Sequence, residues 1–114
     1  MTTVRPATAA DAELEGDVVG FASVGAWRGE ENAGELYAIY LHPSCWDRGI
    51  GRALLERAEE SMRSSGFTCA ILWVLEGNER AGRFYCAAGW ERDGLKLDTF
   101  QGAEVAELRY RKPL

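Results

Sequence analysis

Apolar residues along this chain change their spacing several times, and each change marks an element. Residues 3–5 predict a short strand ended by Pro6, and residues 12–15 and 18–27 the two arms of a hairpin turning at Gly16-Asp17. Residues 28–34 are polar and predict a loop; Glu35 then opens an apolar run, with a strand over 36–41. From residue 49 the period lengthens to that of a helix reaching residue 65. Ile50, Ala53, Leu54, Ala58 and Met62 share one face, and Gly66 is placed to stop it. On its exposed side Arg52 can pair with Glu56, and Glu59 with Arg63, each contributing a few tenths of a kcal/mol (roughly). Residues 69–75 are apolar at every position, as in a strand covered by helices. Ala81, Phe84, Tyr85 and Ala88 return to helical spacing behind Asn78, a good N-cap, and ahead of Gly89, a stop. Residues 90–97 and 104–111 predict two closing strands with Gln101-Gly102 in the turn. The fold class is α/β: a mixed, mostly antiparallel twisted sheet with flanking helices, in one domain over residues 1–114.

Composition narrows the function classes. A net charge of -5 argues against nucleic-acid binding, which needs a basic surface. No apolar run exceeds seven residues, so no membrane span is expected. Residues 1–6 lack an apolar signal core, which predicts a cytoplasmic protein. Cys45, Cys69 and Cys86 are odd in number and lack metal-ligand spacing, so reduced thiols and no metal site are expected.

The most informative stretch is Trp46-Asp47-Arg48-Gly49-Ile50-Gly51-Arg52, two glycines entering an amphipathic helix after a strand and His42-Pro43. Glycines let the backbone approach a ligand closely, and the first helical amides lack intrahelical acceptors. With the positive end of the helix dipole behind them, they suit a phosphate or pyrophosphate. A Walker loop is excluded because Arg52-Ala53 stands where Lys and Ser or Thr are required. A dinucleotide fingerprint needs a small residue at Leu54 and a turn directly off the strand. An ordinary glycine-rich helix start remains the plain alternative. His42, the only histidine, has a loop-terminating role rather than an acid–base one.

A second motif, Asn78-Glu79-Arg80-Ala81-Gly82-Arg83-Phe84-Tyr85-Cys86-Ala87-Ala88-Gly89-Trp90, changes the picture. Together the two segments resemble the GNAT superfamily of acyl-CoA-dependent N-acetyltransferases. The first is similar to its Arg/Gln-x-x-Gly-x-Gly/Ala loop, with Trp46 where the family often has Gln or Arg. The second is similar to its Asn-x-x-Ala-x-x-Phe-Tyr helix. The resemblance implies acetyl-CoA as cosubstrate, its pyrophosphate over the amides of residues 47–52. It implies backbone contacts from Leu41 to the pantetheine arm, and a bond from Asn78 to the same arm. Tyr85 then protonates the leaving sulfur, and Glu35 matches the catalytic glutamate of the family's histone acetyltransferases. The family also places two helices between its first strand and the hairpin, lining the acceptor side. Asp11 to Val18 leaves no room for them, so the fold is expected to be N-terminally shortened.

The chemistry sets its own demands. An amine of pKa ~10.4 is neutral in about one molecule in a few thousand at pH 7, costing roughly 4.6 kcal/mol. A carboxylate offsets that cost by taking the proton; Glu35 is the first candidate and Glu76 the second. Either needs its pKa raised by desolvation to serve well. Three readings stay open: an N-acetyltransferase acting on a small-molecule or peptide amine, a coenzyme-binding module without transfer, and an incomplete domain completed by a partner chain. Bare apolar surface left by the missing helices predicts a homodimer, with residues 104–111 as an exposed edge for pairing.

Overall fold

Three strands, β1 (Ala7–Leu14), β2 (Asp17–Ala26) and β3 (Ala33–Leu41), pair as an antiparallel meander. A single 3-10 turn over Pro43–Cys45 leads into helix α1 (Ile50–Ser64), followed by β4 (Cys69–Leu75), α2 (Glu79–Ala87), β5 (Glu91–Phe100) and β6 (Ala103–Pro113). The computed structural model describes residues 7–14 and 16–114, so the strand expected at 3–5 lies outside them. The strands run in the order β1-β2-β3-β4-β6-β5. This is the mixed six-stranded sheet with two helices that the pattern implied. Contacts gather in two units, residues up to 70 with Leu114, and residues 71–113.

In the first unit α1 lies on β1, β2 and β3. Leu54, Leu55, Ala58 and Met62 of the helix are buried, as are Ala12, Ala22, Val24 and Leu36 of the strands. The buried stripe is turned from the expected one: Ala53 is exposed, while Leu55 and Glu59 are inside. Glu59, only 4% exposed, therefore does not pair with Arg63 on the surface. Arg63 bonds Glu60 instead, and the Arg52–Glu56 pair forms as expected. β1 starts earlier than expected, at Ala7, because its alanine-rich stretch pairs along β2 up to Val24. β3 likewise begins at Ala33, with Gly34 pressed so close to Met62 and Phe67 that a Cβ there would clash.

In the second unit α2 packs through Tyr85, whose ring meets those of Phe84, Trp90 and Tyr110 at 5.2, 6.2 and 6.3 Å. Gly82 is required there, since a Cβ would fall 2.8 Å from the Tyr110 hydroxyl. The β5–β6 hairpin turns at Gln101 and Gly102, both left-handed (φ 52° and 82°), the pair of signs that matches strand twist in a two-residue turn. A register shift between Arg92 and Gly94 leaves Asp93 at a bulge, held by Arg109 and Arg111. Burial works to raise the Asp93 carboxyl, but the two guanidiniums outweigh it and hold it below the ordinary value. One expectation is overturned: β6 is not an edge. It lies between β4 and β5, with the Glu76 amide bonded to the Ala106 carbonyl, and β5 is the edge strand.

Candidate active site

The corner between β3 and α1 is stapled at several points. The His42 amide donates to the Val19 carbonyl at 2.7 Å, continuing the β2 ladder one residue past Leu41. By strand alternation, the Leu41 amide and carbonyl then face away from β2. The Trp46 indole N–H donates to that carbonyl at 2.9 Å, tying the loop back onto the strand end. His42 caps the 3-10 turn: its Nδ1 accepts the Ser44 amide at 3.2 Å and lies 2.8 Å from the Ser44 hydroxyl. An acceptor at Nδ1 puts the proton of the neutral ring on Nε2. Its role is the expected structural one.

After Trp46 the backbone alternates in hand. Asp47 is left-handed (φ 63°), as is Gly49 (φ 78°), the residue that caps α1. Alternation of this kind turns successive amides inward into an anion-binding concavity. No side chain caps the helix and its first turn holds no acid, so the amides of Ile50, Gly51 and Arg52 keep only the first-turn geometry. Arg48 is exposed, as is Arg52, which pairs with Glu56 at 3.3 Å. Leu41, Trp46, Asp47, Arg48, Gly49, Ile50, Gly51 and Arg52 are thus gathered in one corner, and their chemistry suits a bound phosphate ester.

Glu35 is not in that corner. It registers with Gly25 of β2 and stands about 20 Å up β3 from Leu41 at strand rise. Between the two, β3 carries a bulge, with Ala38 opposite Ser23 but Leu36 opposite Val24, leaving Tyr37 as the extra residue. The Tyr37 ring lies over Gly25, where a Cβ would come within 2.6 Å, and its hydroxyl donates to the Ala26 carbonyl at 2.7 Å. Nothing in the sequence announces this bulge, which re-aims the strand between Glu35 and the corner.

The second unit holds Glu76, Asn78 and Tyr85. Glu76 is exposed just past β4. Asn78 accepts the Ala81 amide at 3.2 Å and keeps its side-chain N–H2 to spare. Tyr85 is 8% exposed, and burial pushes its phenol up to about 12. No group of side chains suited to a metal occurs among the described residues.

A strand ending in a left-handed loop and an uncapped helix, with a capped Phe-Tyr helix further on, lies within a sheet-and-helix arrangement that matches the acyl-CoA N-acyltransferase fold. The chain belongs to the acetyltransferase (GNAT) family, whose sequence profile matches residues 3–90. It is 46% identical over 100 residues to an uncharacterized N-acetyltransferase of Bacillus subtilis (strain 168), YuaI, covering 86% of this chain and 54% of that protein. The chain spans about half the length of the curated relatives it matches. Among solved structures, a ribosomal-protein-alanine N-acetyltransferase from Brucella melitensis superposes with a TM-score of 0.79 at 29% identity, over 91% of this chain and 67% of that one. A Salmonella typhimurium acetyltransferase described with its cofactor acetyl-CoA shares the fold, with a TM-score of 0.77 at 24% identity over 89% of this chain and 61% of that one.

Proposed function

We propose that this protein transfers an acetyl group from acetyl-CoA directly to a primary amine of a small molecule or peptide. The observation that carries the reading is the start of α1, where left-handed Asp47 and Gly49 precede a helix with no capping side chain and no acid in its first turn. In this reading the amides of residues 47–52 hold the pyrophosphate, while Leu41 and the Asn78 amide group hold the pantetheine arm. Glu35 takes a proton from the amine. The new N–C bond forms as the C–S bond breaks, and Tyr85 supplies the proton that leaves with the sulfur. Tyr85 at about 12 lies about 3.5 units above a thiol near ~8.5, so full transfer is uphill by roughly 5 kcal/mol. That fits within the ~17 kcal/mol barrier of about one turnover per second. Tyr85 also stays protonated at neutral pH, ready to donate. The named acceptor of the Brucella melitensis relative, a ribosomal-protein alanine, favours the peptide amines within this class.

Acetyl-CoA is made and used in the cytoplasm, and three cysteines held in no disulfide suit that reducing compartment, so we place the protein there, as a homodimer. A second reading, a coenzyme-binding module without transfer or a domain completed by a partner chain, is favoured by one observation. β1 turns directly into β2 around Gly16, with no helix pair between them.

Thiol release from acetyl-CoA across a panel of amines tests the choice. Amine-dependent release is expected, lowered about 10- to 100-fold by Tyr85→Phe with coenzyme affinity within a few-fold. Tight coenzyme binding without release from any amine supports the second reading. A folded Tyr85→Phe protein turning over at the wild-type rate reduces the tyrosine to packing.

A further inference from the structure

β5 is the edge of its sheet and is paired only with β6, yet it is ten residues long and exposed almost throughout. Leu95, Leu97 and Phe100 are 51%, 62% and 63% exposed. Such an edge is ready to pair with another strand unless charge or shape prevents it.

Its hydrogen-bonding parity follows from the turn. Phe100 faces Ala103 across a two-residue turn, which makes that pair hydrogen-bonded, and the register runs without interruption to Gly94 opposite Arg109. Phe100, Asp98, Lys96 and Gly94 therefore bond inward, and the amides and carbonyls of Leu95, Leu97 and Thr99 face outward, the Thr99 amide donating to its own Asp98 carboxylate at 2.8 Å. The bond from the Glu76 amide to the Ala106 carbonyl agrees, since Ala106 is the partner of Leu97 and directs its own groups away from β5.

We infer that β5 pairs with β5 of a second copy of this chain, antiparallel, about a two-fold axis at Leu97. This register alone sets residues 95, 97 and 99 opposite one another, for about four main-chain hydrogen bonds besides the Thr99 amides that the Asp98 carboxylates hold. It sets Lys96 opposite Asp98 of the other copy, twice, at the non-hydrogen-bonded positions where side chains approach closest. Centring on Lys96 instead opposes two lysines and sets Thr99 against the Asp93 bulge, and centring on Leu95 also runs into that bulge. Lys96 is held for the contact: its Nζ sits 4.3 Å above the Trp73 ring and 3.4 Å from Glu107, with donors remaining.

The inference rests on the homodimer reading above and says where the dimer is made. Sedimentation of the wild-type chain should give a dimer at tens of micromolar, and the amides of Leu95 and Leu97 should exchange more slowly as concentration rises. Asp98→Lys sets lysine against lysine and should raise the dissociation constant at least about tenfold. Lys96→Asp sets two aspartates together and should do the same. Mixed, these two variants present only opposite charges and should pair with each other. A monomeric wild type overturns both the dimer and this interface. A dimer that Asp98→Lys leaves intact, or whose Leu95 and Leu97 amides exchange at a concentration-independent rate, overturns the interface alone, as does failure of two folded variants to pair.

Discussion

The two helices of this protein end alike and begin in opposite ways. α1 closes at Gly66 (φ 97°), with the Phe67 amide returning to the Met62 carbonyl; α2 closes at Gly89 (φ 94°), with the Trp90 amide returning to Tyr85. Both endings satisfy carbonyls that a helix otherwise leaves open, and α2 gains Lys112, whose ammonium bonds the Ala88 carbonyl at 2.8 Å. At the other end α2 has Asn78 on the Ala81 amide and Glu79 in its first turn. α1 has neither cap nor acid, and its first turn carries Arg52. With Gly49 at its N-cap, the fifteen-residue α1 forgoes only the few tenths of a kcal/mol by which asparagine exceeds glycine as a cap, roughly, and leaves its first amides without a capping side chain, while the nine-residue α2 takes the full cap. On the function proposed above, α1 is the helix that binds and α2 the one that is built.

The sharpest way to break that contrast is to make α1 begin as α2 does. Gly51 lies in the first turn of α1 with no left-handed backbone, so Gly51→Asp adds the missing acid without straining φ. The fold should be unchanged or a few tenths of a kcal/mol more stable, roughly, through the dipole. Coenzyme A affinity should fall at least about 100-fold, ~2.7 kcal/mol, because a carboxylate occupies the anion's place. Calorimetry finding unchanged affinity would mean that the open start of α1 is only a missing cap.

That contrast was partly legible from residues alone. Glycines at 66 and 89 and the asparagine at 78 announce themselves because each is nearly alone in fitting its backbone task. The glycine pair at 49 and 51 pointed to the corner, and the corner formed. What was hidden is non-local. Residues 7–11 are alanine-rich, favouring helix by propensity, and become strand only by pairing with β2. Glu59 entered the α1 stripe, and nothing in its sequence neighbourhood distinguishes it from Glu56 or Glu60. The Tyr37 bulge depends on Gly25 across the ladder. The position of β6 inside the sheet is a matter of strand order, which period and turn signals do not encode.

Tyr85 sharpens the comparison from the built side. If α2 is locked, its tyrosine should remain shielded until the helix unfolds. A phenol near 10 in the unfolded chain and about 12 in the folded one leaves stability intact below pH 10 and erodes it as pH rises toward 12. The loss from this residue should reach roughly 2–3 kcal/mol by pH 12. Urea unfolding of wild type and Tyr85→Phe at pH 8, 10 and 11.5 isolates it, since the other titrating groups are common to both. The variant should lose less stability over that range. Parallel losses would show the hydroxyl open to water, and α2 less tightly set than its caps imply.

The smallest effect separates the two duties of Asn78, and it probes whether a closed helix start can also serve a ligand. Its side-chain oxygen accepts the Ala81 amide, which is the capping duty, while its N–H2 is the only part able to donate to a carbonyl of the pantetheine arm. Asparagine and aspartate cap about equally well, and alanine does not cap. Asn78→Ala should therefore cost about 1 kcal/mol of stability in chemical denaturation. Asn78→Asp should keep that stability, with its second carboxylate oxygen replacing the donor and so repelling any carbonyl placed there. Coenzyme affinity then decides. A loss of several-fold in both variants means that the side chain caps and binds at once, and that α2 contributes to the ligand through a residue it also needs for folding. A loss in neither, with stability falling only in the alanine variant, leaves Asn78 as a cap. Coenzyme binding would then belong to the α1 corner and not to the start of α2.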